Sequence, residues 1–231
     1  GGMGEVRRVR DVGLNRTMAM KVIRADLLHR PMAVTRFIEE AQITAQLQHP
    51  GIVAVHQMGR LPDGRVFYTM REVPGHTLGQ AIEEVHAPTA GATWTFRGLV
   101  SALGQACAAV AFAHDRGVIH RDLKPDNILV GKFGDVQVMD WGLAKVADRD
   151  RMTITTPIVT DRSSGDSMHT LLGAVIGTPA FMAPEQAFGQ AVDQRADVYS
   201  LGLILYQVLS GRAAWHGTAR EVLGELRGGK R

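Results

Sequence analysis

The hydrophobic periodicity of this chain changes once along its length, and that change limits the folds open to it. Through residues 4–72 the apolar residues come in short strand-like runs with one helical segment among them. Val6 to Val9 and Met18 to Ile23 read as strands. Ala33 to Gln48 reads as a helix, because Phe37, Ala41, Thr44 and Leu47 recur at helical spacing while Glu39, Glu40, Gln42 and Gln46 take other faces. Ile52 to Met58 and Arg65 to Met70 read as strands joined by Leu61-Pro62-Asp63-Gly64, where Asp-Gly is a hairpin signal. Val73-Pro74-Gly75-His76 then reads as a break. From residue 77 onward helical patterning predominates. Phe96 to Asp115 carries Leu99, Leu103, Ala106, Val110 and Ala113 on one stripe, with Gly117 placed to close the helix. Tyr199 to Leu209 is apolar nearly all round, which predicts a helix buried in the core. Ile128 to Val130 and Val136 to Met139 read as short strands around Gly131-Lys132-Phe133-Gly134. Thr153 to Thr170 lacks periodicity, is rich in Ser, Thr, Asp and Gly, and reads as a mobile loop. The expectation is an α+β chain without internal repeats: a small antiparallel β part with one helix, then a larger, mainly helical part.

Composition removes several other classes. Of 231 residues, 45% are hydrophobic and 21% charged, which excludes a disordered tail or a small disulfide-stapled scaffold. The net charge of +3 is spread along the chain without a basic block, so no nucleic-acid surface is expected. Cys107 is the single cysteine, so no internal disulfide can form and a reducing compartment fits. Gly1-Gly2-Met3-Gly4-Glu5 is not a signal peptide. The long uncharged stretch from Gly98 to His114 is broken by Ser101, Gly104 and Gln105, short of the roughly 20 apolar residues of a membrane span. No membrane span is expected within the chain, and the expected location is the cytoplasm, either free or tethered to the inner face of the membrane through segments outside this chain. The chain also begins without an initiator Met and inside a glycine-rich motif, so a fragment truncated at both ends is expected.

The chemistry-bearing residues fall in a fixed order. Gly1-Gly2-Met3-Gly4-Glu5-Val6 comes first, then Ala19-Met20-Lys21, then His120-Arg121-Asp122-Leu123-Lys124-Pro125-Asp126-Asn127, then Asp140-Trp141-Gly142, then Gly177-Thr178-Pro179 leading to Ala183-Pro184-Glu185. These resemble, in order, the end of the glycine-rich loop, the V-A-I-K strand, the H-R-D-x-x-x-x-N catalytic loop, D-F-G and A-P-E of protein kinases. The glycine segment and Gly-Thr-Pro-x-Phe-Met-Ala-Pro-Glu-Gln look most like the bacterial branch of the eukaryotic-like Ser/Thr kinases. The resemblance covers essentially the whole chain. It implies a bilobal protein-kinase-like fold, with an N-lobe over 1–72 and a C-lobe over 73–231. It further implies ATP as phosphoryl donor, Mg²⁺ (or Mn²⁺) as cofactor, and a protein Ser/Thr hydroxyl as acceptor.

Phosphoryl transfer asks a protein mainly for positioning and charge neutralisation. By the resemblance, Asp122 accepts or orients the acceptor proton, Lys124 reaches the γ-phosphate, and Asn127 and Asp140 hold the metal through hard oxygen donors. Thr178 bonds the catalytic Asp and helps select Ser/Thr substrates. Gly1 and Gly4 let the backbone close over phosphates without a Cβ. Lys21 bridges the α- and β-phosphates and pairs with Glu40, chosen over Glu39 because Phe37-x-x-Glu40-Ala41 fits the family pattern. The base is expected between Val6, Ala19 and Leu129. Met70 is the gatekeeper, with Arg71 offering a backbone acceptor and Val73 a backbone donor to adenine. Arg71 departs from the Glu more usual there. Trp141 stands for the usual Phe; it is a packing swap or a shift in the balance between active and inactive arrangements. Asp197 is expected to anchor the catalytic loop backbone.

The resemblance extends to regulation. Arg121 before Asp122 marks kinases often switched by activation-loop phosphorylation. The candidate acceptors are Thr153, Thr155, Thr156, Thr160, Ser163, Ser164, Ser167 and Thr170. A phosphate brings about −1.5 to −2 charge, able to pair with Arg121. Thr170 is the leading site, modified in trans through transient self-association. Two other readings compete with this one. A small-molecule phosphotransferase shares an H-x-D-x-x-x-x-N loop, but Lys124 and the 177–185 segment speak against it. A pseudokinase scaffold rests only on Trp141 and truncation.

Overall fold

In a computed structural model the described residues are 3–87, 93–146, 158, 160 and 178–228. Four antiparallel strands form the first sheet: β1 (Gly4–Asp11), β2 (Arg16–Ile23), β3 (Val55–Arg60) and β4 (Val66–Arg71), in the order β1-β2-β4-β3. Helix α1 (Pro31–Gln46) follows β2 and lies against this sheet. Pro31 opens α1, where a missing N–H costs nothing. Its inner face buries Phe37, Glu40, Ala41, Ile43 and Thr44. Phe37 and Ala41 join Ile23, Val66 and Tyr68 in a small apolar core under the sheet. The hairpin between β3 and β4 turns at Gly64, which takes φ 84°.

The second part begins with β5 (Gly75–Thr77), α2 (Leu78–His86) and α3 (Phe96–Asp115). It continues through β6 (Val118–Ile119), β7 (Ile128–Gly131), β8 (Val136–Val138) and β9 (Lys145–Val146) to α4 (Pro184–Ala187), α5 (Arg195–Ser210) and α6 (Ala219–Arg227). Here β5, β7 and β8 form a three-stranded sheet, and β6 pairs with β9. The larger core gathers the inner faces of α2, α3 and α5 with β7 and β8, and it includes Trp141. Among the described residues α3 is the helix long and apolar enough to cross a membrane. Its Leu99, Ala102, Leu103, Ala106, Ala109, Val110 and Ala113 are buried in that core.

Two sequence expectations need correction. Val73 to His76 is not simply a break: Gly75 and His76 open β5 and pair with Gly131 and Val130. A Cβ on Gly75 would stand 2.2 Å from the Val130 carbonyl oxygen, so the glycine that suggested a turn instead permits a close strand pairing. The apolar helix α5 is also not buried all round. Ile204 and Val208 are fully buried, whereas Val198, Leu205, Tyr206 and Leu209 are exposed.

Candidate active site

Three structural elements bring the upper half of the site together. Lys21 sits on β2, Glu40 on α1, and Asp140 just before a 3-10 turn over Trp141–Leu143. Lys21 Nζ lies 2.5 Å from Glu40 Oε1 and 3.4 Å from Asp140 Oδ1. Burial alone would lower the Lys21 pKa, but the two carboxylates outweigh it and hold the value above its ordinary one. For Asp140 burial works upward, and Lys21 overcomes it, leaving the carboxyl below its ordinary range. Gly142 approaches Glu40 closely; a Cβ there would stand 2.8 Å from Oε2.

The lower half is built on the loop after β6. Asp122 Oδ1 accepts from the Thr178 N–H at 2.7 Å and from the Thr178 hydroxyl at 2.8 Å. Lys124 Nζ donates to the same hydroxyl at 3.0 Å and lies 3.7 Å from Asp122 Oδ2. Asn127 Nδ2 donates to the Asp122 carbonyl at 2.8 Å, which turns its amide oxygen the other way. Met139 joins the halves: its N–H donates to the Asn127 carbonyl at 2.9 Å, and its carbonyl accepts from His120 Nε2 at 3.1 Å. Asp140, the next residue, is thereby held beside Asn127.

Arg121 and Asp140 both take left-handed backbone conformations, φ 71° and 64°. Such non-glycine geometry costs about 1–3 kcal/mol and persists only when surroundings enforce it. Asp197 supplies much of the enforcement. Fully buried at the start of α5, it accepts from His120 N–H and Arg121 N–H, both at 2.8 Å, and from His114 Nε2 at 2.7 Å. Burial would raise its pKa, but these donors hold it below the ordinary value. Gln186 Nε2 adds a bond to the Arg121 carbonyl at 2.8 Å.

The cavity between sheet and loop is lined by Gly4, Val6, Lys21, Glu40, Met70 and Asp140 among the residues expected there. Thr44, Val53, Tyr68 and Met139 line it as well. Ala19, the cross-strand partner of Met70, and Leu129 on β7 are not part of its lining. Arg71 is exposed, with its guanidinium 3.8 Å from Asp135 and its N–H taken by the Ala54 carbonyl. The Val73 N–H donates to no backbone group among the described residues. Gly4 carries a different constraint from the one expected: it is a β1 residue, and a Cβ would stand 2.9 Å from the Val22 carbonyl oxygen. Gly1 lies outside the described residues, as do Thr170 and the other loop acceptors except Thr160, which is buried. Trp141 is 1% exposed, packs with its ring tilted 54° against His120 at 4.6 Å between centroids, and leaves its indole N–H without a hydrogen-bond partner among the described residues.

Sequence reasoning missed three side chains. Tyr68 donates to Glu40 Oε1 at 2.6 Å, His114 supports Asp197, and Gln186 holds Arg121. Their partners lie far away along the chain. The one local signal was the antiparallel register, which sets Tyr68 opposite Lys21.

The donor set suits a nucleotide-bound Mg²⁺-type ion. Such an ion takes one or two carboxylates, and phosphate oxygens supply much of the rest. Asp140 and the free face of the Asn127 amide offer hard oxygens. Among the described residues no group of three or more His, Cys, Asp and Glu competes as a self-sufficient metal cage.

A mixed α+β fold that sets Lys21, Glu40 and Asp140 around one cleft, with the Asp122–Asn127 loop tied to Asp140 through Met139, is that of the protein kinase class, and the chain belongs to that family: the protein kinase domain matches residues 1–227. Among its relatives, serine/threonine-protein kinase PknD of Protochlamydia amoebophila is 42% identical over 216 residues, covering 91% of this chain and 22% of that protein. Serine/threonine-protein kinase PknB of Mycolicibacterium smegmatis is 42% identical over 221 residues, 94% of this chain and 32% of that protein. PknD of Chlamydia muridarum is 38% identical over 221 residues, with 91% and 23% covered. The chain thus spans less than a third of the length of these relatives.

Proposed function

We propose that this chain is the catalytic domain of an ATP-dependent protein serine/threonine kinase. The observation that carries the reading is the interlock of Asp122, Lys124 and Thr178 with each other, joined through Met139 to Asp140 and Lys21. Lys21, held by Glu40, binds the α- and β-phosphates. Asp122 receives the proton of the acceptor Ser or Thr hydroxyl as the oxygen attacks the γ-phosphorus and the bond to the β-bridging oxygen breaks. Lys124 neutralises charge gathering on the transferred group. Thr178 fixes Asp122 Oδ1, and Oδ2, which accepts from Asn127 Nδ2 at 3.4 Å, is the oxygen that takes the acceptor proton. Asn127 and Asp140 would hold Mg²⁺ (or Mn²⁺), which supplies charge neutralisation on the phosphates. Met70, Arg71 and Val73 edge the adenine site, with Val6, Ala19 and Leu129 about the base.

The sheet of β1–β4 ends at Arg71 and β5 belongs to the next sheet, which supports an N-lobe over 1–72 and a C-lobe over 73–231. Autophosphorylation in trans, at Thr170 foremost, fits Arg121. Its Nε is buried with no hydrogen-bond partner among the described residues, and burial followed by the nearby Arg36 lowers its pKa against the pull of Asp197. Both features favour an incoming anion. We place the domain in the cytoplasm, where ATP and reducing conditions meet the needs of the site and of Cys107.

The test is transfer of labelled γ-phosphate from ATP to a generic basic protein, with and without Mg²⁺. Transfer should require the metal and fall at least about a hundredfold in Asp122→Asn. An unchanged rate in that variant would remove Asp122 from the chemistry. Phosphopeptide mapping after self-incubation tests the loop sites, and absence of phosphate between 153 and 170 rejects them.

A further inference from the structure

Tyr68 has no part in the steps above, yet it occupies the centre of the site. It lies on β4 directly opposite Lys21 on β2, so both side chains leave the same face of the sheet toward α1. Both end on one atom: Glu40 Oε1 takes Lys21 Nζ at 2.5 Å and the Tyr68 hydroxyl at 2.6 Å. The tyrosine is 3% exposed and its ring packs 5.3 Å from that of Phe37, also on α1. Glu40 Oε2 has no hydrogen-bond partner among the described residues. The hydroxyl therefore does not serve the oxygen left over; it doubles the grip on the one that already holds Lys21.

The two donors differ in what remains if Glu40 withdraws. Lys21 keeps a second carboxylate, Asp140, at 3.4 Å. The hydroxyl of Tyr68 has no other hydrogen bond among the described residues. Burial, and then the Glu40 charge, hold the phenol protonated, so it stays a fixed donor. A buried hydroxyl stripped of its acceptor is costly. Opening the ion pair is thus penalised mainly at Tyr68.

We propose that Tyr68 is a positioning residue for nucleotide binding. Acting through Glu40, its hydroxyl keeps α1 against the sheet and Lys21 aimed at the phosphates before ATP arrives. The proposal rests on the roles given to Lys21 and Glu40 above. When the competent arrangement is only a fraction of the population, apparent affinity falls by that fraction, while the rate at saturation is preserved.

The experiment is calorimetric titration of the folded chain with Mg–ATP and, separately, with adenosine, alongside steady-state transfer. Tyr68→Phe keeps the ring and removes only the hydroxyl. Mg–ATP affinity should weaken about tenfold, with KM for ATP rising in parallel and kcat within about twofold. Adenosine, which carries no phosphate, should bind the variant and the parent alike. In a Glu40→Ala background, Tyr68→Phe should change Mg–ATP affinity no further. Equal loss for adenosine and ATP would show general loosening and overturn the proposal. So would unchanged ATP affinity in Tyr68→Phe while Glu40→Ala weakens it, an outcome that leaves the assignment of the ion pair standing. If Glu40→Ala also binds Mg–ATP normally, both the tether and the role of the pair fall.

Discussion

Replacing Asp197 with asparagine should separate the scaffold of the catalytic loop from its chemistry. Asp197 Oδ2 accepts two donors, His114 Nε2 and His120 N–H, while among the described residues Oδ1 accepts from the Arg121 N–H alone. An asparagine would keep its oxygen where two donors converge and turn its NH₂ group toward Arg121. That leaves a buried backbone N–H facing another donor, at about 1–3 kcal/mol. The two surviving bonds change from charge-assisted to neutral, losing about 1 kcal/mol each. Relief of the buried charge returns part of this, since burial opposes the ionised form. A net destabilisation of about 2–4 kcal/mol follows. Arg121 would also lose a bond that enforces its φ of 71°, so Asp122 would lose its aim. Urea unfolding should show the stability loss, and kcat should drop by about tenfold or more while KM for ATP, set by Lys21 and Glu40, stays within about twofold. The sign with pH is fixed. The folded-state carboxyl sits below its ordinary 3.8, so its stabilisation is full above that value and disappears as pH falls through the lower folded one. The gap between parent and variant should therefore narrow in acid below about pH 4. A stability loss under about 1 kcal/mol, or a gap that widens in acid, would refute the argument.

Lys21→Met should leave the buried Glu40 carboxylate with Tyr68 as its remaining donor; melting should show a loss of about 3 kcal/mol, and transfer should fall at least about a hundredfold. In that variant the acid-limb stability that Lys21 lends Asp140, present above the ordinary 3.8 and lost below it, should shrink, which a series of melts against pH would detect. Gly142→Ala places a Cβ 2.8 Å from Glu40 Oε2, the end of a side chain that can swing aside. The cost should therefore fall on the Lys21–Glu40 contact more than on the fold: activity down about tenfold with melting lowered by only a few degrees, and normal activity would mean that Glu40 can move without consequence.

How far the sequence could be read depended on the range of the interaction concerned. Helix α3 was legible to its ends, because a single stripe of apolar residues and the positive φ of Gly117 are both written within one segment. The order of the chemistry-bearing motifs was equally local; the fold sets Lys21 and Asp140 on one cleft and ties the loop of Asp122 and Asn127 to them through Met139. Helix α5 shows where composition misleads. An apolar surface says that a face can be buried, not that anything in these residues buries it, and Val198, Leu205, Tyr206 and Leu209 stay exposed. The side chains that were missed act across sequence gaps of 28 residues for Tyr68 and Glu40, 65 for Gln186 and Arg121, and 83 for His114 and Asp197. No periodicity links such partners. Strand register can do so: once β2 and β4 are aligned, position 68 must face α1 beside Lys21, and a tyrosine in place of an aliphatic residue there brings a hydroxyl that needs an acceptor. The residues that set how firmly this site is preformed are therefore those that become visible only after the strands are paired, whereas the reacting groups can be found before any fold is known.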